Sequence, residues 1–457
     1  MSRRAVRGIA GLLAGTCVLA AGLRADTPRA TVSVTPNLLV EVNRDLANAA
    51  AAARPIDQTS PISERKGRLS INGAQHTQAI VGVEFIPSAN GAVLELLLSG
   101  GTAANTNACQ GPVCLNLTTR VSYYARLRAY VDQNGVQALT RAESCPSLDE
   151  NTLNCLSTKF RGPLDPLVRN IATRVYNKKK AQIEADVLRD ARKTINSEFD
   201  QSAAQQFAEV NGKYETKVRA PLVKRGIYPQ HIKVLCSDTE LGVRALLNDP
   251  TGKGRALAAV PLIEGSPAIA VRVEESLLNN ATHTMFAGKK FTGEELDTEF
   301  NTLLKPLMGD VKTTDTTDKP FSITFPKEKP IEIHFNKQTV TVTLRGSEFT
   351  SGDTEYDGMD TTGVYKLTKT PKGLVAERVG DLEIFPPGFV RGKHKLGARE
   401  QVLRKLLEKK FGRVLKPKFE MDEITFEEPL DRMGVLVTTQ VESDKGWLVL
   451  AWKRIPK

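Results

Sequence analysis

A stretch of 45 residues, Leu167–Asn211, contains neither glycine nor proline and is rich in Ala, Lys, Gln, Glu and Arg. These residue types are strong helix formers. Gly162, Pro163 and Pro166 precede the stretch, and proline is tolerated at a helix start. The sequence therefore predicts a single helix of roughly 65 Å, far longer than the usual three to four turns. A helix of this length needs an equally long surface against which to pack.

Apolar residues recur along this helix mostly every four residues, which is longer than the helical repeat of 3.6. They are Ile183, Val187, Ala191, Ile195, Phe199, Ala203, Phe207, Val210, Tyr214 and Val218. The apolar stripe therefore winds slowly around the helix and predicts a twisted packing surface. A coiled coil is the alternative interpretation, although the spacing does not keep a heptad.

The segment Leu115–Val131 predicts a long strand, because apolar and polar residues alternate along all of it. Its length greatly exceeds the usual five or six residues. Since only one face is apolar, we expect an antiparallel sheet with one solvated side. Shorter strands are predicted at 68–71, 79–86 and 92–99, whereas the polar, proline-bearing segment 54–63 is predicted to be a loop.

The first 25 residues, Met1–Ala25, resemble a secretory signal, with three arginines ahead of an apolar stretch too short for a confident transmembrane span. Cleavage after Ala20 and cleavage after Ala25 both fit, and an uncleaved anchor is the alternative. We therefore expect an exported protein, periplasmic or secreted, in an oxidising compartment.

Two pairs of cysteines are close in sequence, Cys109 with Cys114 and Cys145 with Cys155, and two local disulfides are plausible. Spacing alone does not fix the connectivity, and Cys236 is left over on a predicted buried strand. Zinc is disfavoured because none of the five histidines lies beside these cysteines. We expect no metal site and no cofactor.

The order strand, helix, meander, long helix, strands occurs twice along the chain. Four apolar positions match at a constant offset: Val32, Val34, Leu38 and Leu39 with Val271, Val273, Leu277 and Leu278. This predicts a duplication. The expected fold class is α+β, with two tandem modules, each a long curled antiparallel sheet wrapped on a long helix. The expected boundaries are 27–247 for the first module, 248–268 for a connection and 269–457 for the second.

The segment Ala270–Ala281 reads as a strand running into a helix, with a serine near the helix start and an asparagine one turn later. It resembles the opening of the second module in the tubular lipid-binding superfamily, which includes bactericidal/permeability-increasing and lipid-transfer proteins. Thr31–Leu39 is similar to the opening of the first module. Two features depart from the family: the long helix has no cysteine for the usual disulfide to a strand, and the second helix is shorter than expected.

The resemblance implies an apolar tunnel between helix and sheet that holds acyl chains. A partly apolar helix that faces a one-sided sheet can leave such a lined cavity. The expected ligand contacts are Ile195, Phe199, Phe207 and Tyr214. The same residues could instead close on one another as a solid core.

Between Arg391 and Lys418 the chain carries eleven Lys or Arg residues against two glutamates. Apolar residues recur there at helical spacing, which predicts a basic amphipathic helix. Four residues are the expected contacts to an anionic membrane surface or lipopolysaccharide: Arg404, Lys405, Lys409 and Lys410. The alternative is a solvated face over a buried stripe.

No pattern in the sequence supports catalysis. The sequence lacks a nucleophile elbow, a paired-histidine zinc motif and a complete phosphate loop. The segment Asp353–Gly358 matches only the first half of a calcium loop, because Val364 stands where a glutamate is required. An acidic hairpin is therefore predicted there.

The net charge of +11 indicates anionic partners, but no nucleic-acid motif is present. We predict an exported, non-enzymatic protein that binds a lipid or another apolar ligand. The alternative is a structural or adhesive envelope protein with solid cores that binds a protein or glycan.

Overall fold

The computed structural model describes residues 35–88, 90–251, 259–308, 319–371, 373–428 and 430–457. The expected signal segment and the strand expected from Thr31 lie largely outside these ranges. Within them, no helix has both the length and the apolar character that a bilayer-spanning helix requires.

The first half of the chain contains a curled sheet of very long strands and one very long helix. Its elements are β1 (Leu38–Asn43), α1 (Arg44–Ala52), β2 (Ile56–Lys66), β3 (Leu69–Ile86), β4 (Ala92–Gln110), β5 (Val113–Asp132), β6 (Gly135–Ala138), β7 (Glu143–Thr158), α2 (Leu164–Tyr214), α3 (Ala220–Lys224), β8 (His231–Cys236) and β9 (Glu240–Leu246).

The second half has a comparable element order with shorter helices. Its elements are β10 (Ile269–Glu274), α4 (Glu275–Phe286), β11 (Lys290–Thr292), α5 (Gly293–Met308), β12 (Phe321–Thr324), β13 (Ile331–Asn336), β14 (Thr339–Ser351), β15 (Thr354–Thr370), β16 (Gly373–Arg378), β17 (Glu383–Phe385), α6 (Ala398–Val414), β18 (Lys418–Asp422), β19 (Ile424–Thr425), β20 (Val435–Asp444) and β21 (Trp447–Ile455).

Three antiparallel sheets organise these elements. The first-module sheet has the order β2-β3-β4-β5-β6, with β7 on β5. The second-module sheet has the order β11-β12-β14-β15-β16-β18, with β13 on β14 and β17 on β15. A central sheet, β19-β20-β21-β10-β1-β9-β8, joins the two modules, because β1 and β10 pair directly with Leu38 opposite Val273. The α+β architecture with a long helix and large curled antiparallel sheets is confirmed.

The long helix α2 confirms the prediction and is longer than predicted, since it begins at Leu164 and passes through a π-helical turn at Glu215–Arg219 into α3. Its C-terminal half buries Ile195, Phe199, Ala203, Phe207 and Val210 against the first-module sheet. These positions lie three or four residues apart, as the winding stripe predicts.

Strand β5 also follows the predicted alternation. Its inward residues from Val121 to Val131 are buried, whereas Arg120, Tyr124 and Arg126 on the other face are exposed. The sheet is therefore solvated on one side and packed on the other, as expected for an antiparallel sheet.

The prediction of a loop at 54–63 is wrong, because this segment lies within strand β2. Pro61 is compatible with the strand because β2 is at the edge of its sheet, where a missing N–H need not break a ladder. The sequence also gives no warning of β7, which pairs with β5 and contains mostly polar residues.

The strand-into-helix opening does occur in both modules, but the predicted register is wrong. Leu38 and Leu39, which the matched pattern placed in a helix, belong to β1. Helix α1 begins at Arg44 and helix α4 at Glu275, so the openings are related by an offset of 231 residues rather than 239. The buried Asn37 links the two openings through its side-chain amide, which donates to Ser276 Oγ at 3.1 Å and to the Leu247 carbonyl at 3.0 Å.

The acidic segment after Gly352 is a hairpin, as predicted. Ser351 pairs with Thr354 across a two-residue turn, and residues from Thr354 onward belong to β15. Gly352 has a φ of +58°, a conformation that glycine adopts without strain.

The disulfide between Cys109 and Cys114 is present and closes the β4–β5 hairpin, where the two residues are direct cross-strand partners with Cα atoms 4.0 Å apart. The expected pairing of Cys145 with Cys155 is wrong. Both are free and exposed on β7. Ten residues of extended chain hold them about 33 Å apart.

Thiol labelling of the native protein should distinguish these cysteines. We expect iodoacetamide to alkylate Cys145 and Cys155 rapidly and Cys236 only after unfolding, because Cys236 is buried and burial raises the pKa of its thiol to about 11. Peptide mapping by mass spectrometry before and after guanidinium treatment measures this. A peptide bridged between Cys145 and Cys155 would contradict the structure.

Glu332 on β13 is held by two cations in the second module. Lys329 Nζ lies 2.7 Å from one carboxylate oxygen and Arg345 Nη2 lies 2.6 Å from the other. Burial alone would raise the pKa of Glu332, but these hydrogen bonds and charges outweigh burial and lower it from 4.5 to about 2. The folded state therefore favours the carboxylate form of Glu332 more strongly than the unfolded state does.

Acid should remove this stabilisation. Because the pKa of Glu332 is lower in the folded state, its contribution is complete above pH 4.5 and is lost as the pH falls towards 2. We expect about 2 kcal/mol of the loss in unfolding free energy between pH 5 and pH 2.5 to disappear in Glu332→Gln. Urea unfolding at pH 5 and pH 2.5 measures this, with Glu348→Gln, an exposed carboxylate on β14, as control. An equal acid loss in wild type and Glu332→Gln would refute the assignment.

Candidate functional site: a cavity under the long helix

A cavity of about 810 Å³ lies between the N-terminal half of α2 and the distal half of the first-module sheet. The helical lining runs from Val168 to Ile195, which corresponds to about 40 Å of helix. The strand lining includes Val113 to Tyr123 of β5, a similar length. The volume is near the upper end of the range for small-molecule sites. A site this long with this volume is narrow, so its shape fits an extended chain.

The cavity exists because strand β4 changes from large to small side chains on the face that meets the helix. Leu94, Leu96 and Leu98 fill the space beneath the C-terminal half of α2 and belong to the hydrophobic core. Further along the same face, the cavity is lined by Thr102, Ala104, Thr106 and Ala108. Residues two positions apart in a strand lie on the same face. This run of small residues therefore leaves the adjacent helix surface without a packing partner.

The helix contributes apolar residues at helical spacing to the opposite wall. They include Val168, Ala172, Ile183, Val187, Ala191 and Ile195. This row continues the buried stripe of the solid core towards the N-terminus of α2. One amphipathic face therefore serves as core along its C-terminal half and as cavity wall along its N-terminal half.

The first turns of α2 carry large apolar side chains that remain exposed. Leu164, Leu167, Ile171 and Val175 are 55%, 57%, 54% and 50% exposed, respectively. Ile171 and Val175 also line the cavity. These four residues form an apolar rim, and we call this end of the cavity the mouth.

Basic residues far outnumber acidic residues in the segment that forms the mouth. Seven Lys or Arg residues and a single acidic residue, Asp165, occur between Lys159 and Lys180. Asp165 is paired with Arg169 at 2.8 Å. Clusters of exposed apolar side chains bordered by cations are typical of surfaces that bind anionic membranes.

Charged residues also lie along one edge of the cavity, where Lys66 of β2 meets Asp190 of α2 at 2.5 Å. The hydrogen bond to Asp190 raises the pKa of Lys66, and the same bond lowers the pKa of Asp190. Both side chains are about half exposed, so the pair joins the sheet edge to the helix at the surface and contributes little to stability.

The interior of the cavity contains uncharged polar groups. Thr119 donates to Asn151 Oδ1 at 3.4 Å, and the Asn151 amide donates to Glu184 at 3.3 Å. Thr102 lies 3.0 Å from Thr77, hydroxyl to hydroxyl. Apart from the charged residues Glu64, Lys66, Lys179 and Asp190, the lining is therefore mostly apolar with neutral hydrogen-bonding groups between the apolar residues.

The predicted ligand contacts are divided between cavity and core. Ile195 lines the inner end of the cavity. Phe199 and Phe207 pack in the solid part of the first-module core. Tyr214 is buried farther along, where its hydroxyl lies 2.8 Å from that of Tyr228, and burial raises its pKa. The structure thus brings one of the four predicted residues to the cavity.

The predicted headgroup residues lie on α6 of the second module and differ in exposure. Lys405 and Lys409 are exposed, and Arg404 stacks 5.1 Å from the centre of the Phe385 ring. Lys410 is fully buried, with its Nζ 4.8 Å from the centre of the Phe321 ring. This position of Lys410 does not fit a contact with a headgroup.

The sequence of β4 contains a signal for the cavity that the apolar stripe of α2 alone does not reveal. The run Gly100-Gly101-Thr102-Ala103-Ala104 continues a strand of leucines with residues too small to fill a core. The apolar positions before Ile183 on the helix complete the pattern.

The fold and the cavity define an α+β protein in which a long helix and a curled antiparallel sheet enclose an elongated, largely apolar site. No protein-family model and no curated protein sequence matches the chain. Among solved structures, the crystal structure of a lipopolysaccharide binding protein is similar over 93% of this chain and 100% of that chain, with 11% identity and a TM-score of 0.37. A similarity this low identifies neither family nor ligand.

Proposed function

We propose that the protein binds an elongated lipid in the cavity beneath α2, without chemical conversion of the lipid. The main support for this proposal is the cavity itself, with its apolar wall on the helix and its wall of small residues on the strand. Burying an acyl chain of about sixteen methylenes contributes about 13 kcal/mol. Association costs of at least about 4 to 5 kcal/mol leave a dissociation constant near the micromolar range.

The mouth supports a route for the ligand from a membrane. Exposed Leu167 and Ile171 are placed to enter the acyl boundary of a bilayer, and the cations of the same segment complement anionic headgroups. Each Lys or Arg near such a surface adds about 1 kcal/mol. On this proposal, the mouth rests on the membrane and the lipid chain enters along α2. The exposed Lys405 and Lys409 provide a second cationic surface on the other module.

Export to the periplasm or outside the cell forms part of the proposal, because it would bring the mouth to a membrane surface and expose Cys109 and Cys114 to oxidising conditions. Mass measurement of the N-terminus of the purified mature protein tests cleavage after Ala20 or Ala25. A mature chain that begins at Met1 would contradict it.

The binding proposal is tested by native mass spectrometry of the purified protein, followed by solvent extraction and titration with fluorescent fatty-acid and phospholipid probes. We expect co-purified lipid, or uptake of a probe at one per chain. A clean mass for the free protein together with no uptake of any probe would contradict the proposal.

The docking proposal is tested separately by flotation with anionic and neutral phospholipid vesicles. Leu167→Asp combined with Ile171→Asp should strongly weaken binding to anionic vesicles. Val379→Asp, which changes an exposed apolar residue of the second module, should have no effect. Unchanged flotation of the double variant would remove the mouth from the proposal and leave ligand binding in the cavity unaffected.

A further inference from the structure

Tyr176 of α2, like Tyr123 of β5, is a buried tyrosine of the cavity lining whose hydroxyl lacks a hydrogen-bond partner among the described residues. The side chain of Tyr176 is only 5% exposed. Buried tyrosine hydroxyls usually have a partner, and an unsatisfied buried hydroxyl costs about 1 to 3 kcal/mol. A ligand that supplies the missing hydrogen-bond partner would therefore explain a tyrosine in this position.

The nearby polar groups already have partners. Glu184, whose charge contributes to the raised pKa of Tyr176 after burial itself, accepts a hydrogen bond from Asn151 and lies 3.8 Å from Lys180. Asn151 in turn accepts from Thr119. These groups are satisfied within the protein, whereas Tyr176 is not.

Tyr176 follows Val175 of the mouth by one residue, but its side chain is buried in the cavity lining, whereas that of Val175 is half exposed. Tyr176 lies eight residues beyond Val168, the first lining residue of the helix, which corresponds to about 12 Å along the helix axis. Lys66, one of two lysines in the lining, is bound to Asp190 at the cavity edge, and Lys179 is exposed. A charged ligand group bound at the buried hydroxyl of Tyr176 would lose much of its hydration.

We infer that the lipid bound in this cavity carries an uncharged oxygen group, a hydroxyl or a carbonyl, within its apolar length, and that Tyr176 Oη forms a hydrogen bond to it. This inference rests on the proposed function and adds a chemical class to the ligand: a chain that is oxygenated internally, with its charged end at the mouth. A saturated chain would leave the tyrosine hydroxyl unsatisfied.

The experiment compares three probes on the full-length mature protein: stearic acid, a mid-chain hydroxystearic acid and a mid-chain ketostearic acid. We expect the native protein to bind the two oxygenated probes about 3- to 10-fold more tightly than stearic acid. Tyr176→Phe should remove this preference, because phenylalanine has no hydroxyl that could pair with the ligand oxygen. Tyr124→Phe, at an exposed tyrosine on the opposite sheet face, should behave as wild type.

Infrared spectroscopy of the bound ketone provides a readout that a purely structural role of Tyr176 would not change. Its carbonyl band should shift to lower frequency in the native protein, and the shift should vanish in Tyr176→Phe. Equal affinities for the three probes, or a preference that survives in Tyr176→Phe, would overturn the inference while lipid binding stands. Failure of all three probes to bind, if fluorescent lipids also fail, would overturn both proposals.

Discussion

Replacement of Ala104 by phenylalanine is expected to weaken binding of a long-chain lipid probe by about 10- to 100-fold, because an extra ring in an occupied cavity costs about 1 to 3 kcal/mol in overpacking. Ala104 lies on the cavity face of β4, between Thr102 and Thr106. The empty cavity can accommodate the ring, so the free energy of unfolding should change little. Probe titration and urea unfolding measure the two quantities.

The neighbouring residue supplies the control. Ala103 is exposed on the opposite face of the same strand, so Ala103→Phe introduces the same ring one position away without entering the cavity. We expect wild-type affinity for this variant. Equal losses of affinity in both variants would indicate a general disturbance of β4 and would argue against the cavity as the binding site.

Truncation of Phe199 to alanine should produce the opposite pattern. Phe199 is fully buried between α2 and the leucines of β4, and a large-to-small change in such a core costs about 3 to 5 kcal/mol. We expect this loss in unfolding free energy, measured by urea denaturation. The affinity for the lipid probe should stay within about 2-fold of wild type, because Phe199 does not line the cavity.

Leu167→Ala is the matched apolar truncation on the same helix. Leu167 is exposed at the mouth, so the unfolding free energy of the Leu167→Ala variant should stay within about 0.5 kcal/mol of wild type. If Phe199→Ala loses affinity while retaining its stability, then Phe199 contacts ligand and the division of α2 into core and cavity halves is incorrect.

The long helix and the strand β5 could be predicted because each carries a strong periodic signal over many residues. Strands β2 and β7 could not be predicted from the sequence. Both contain mostly polar residues, and their conformation depends on ladder hydrogen bonds to β3 and β5. A sequence pattern records which side chains are buried, but it does not record pairing that the backbone supplies.

The site was predictable only in outline. The apolar stripe of α2 is compatible with both a solid core and a lined cavity, and the largest residues of the stripe, such as Phe199 and Phe207, are those that fill space best. Whether a gap remains depends on the facing strand, where β4 changes from Leu98 to Thr102 and Ala104. The side chains that face each other across two elements become known only once the register of helix on sheet is fixed.

The pairing of β1 with β10 has a consequence for how the chain reaches its final state. Leu38 of β1 pairs with Val273 of β10, which lies 235 residues later in the sequence. Strand β10 in turn pairs with β21 near the C-terminus. Contacts so distant in sequence form slowly. During synthesis, the first module therefore has an unpaired edge at β1, open to pairing with other chains, until β10 has been made. Strand β10 then has an unpaired edge of its own until β21 has been made.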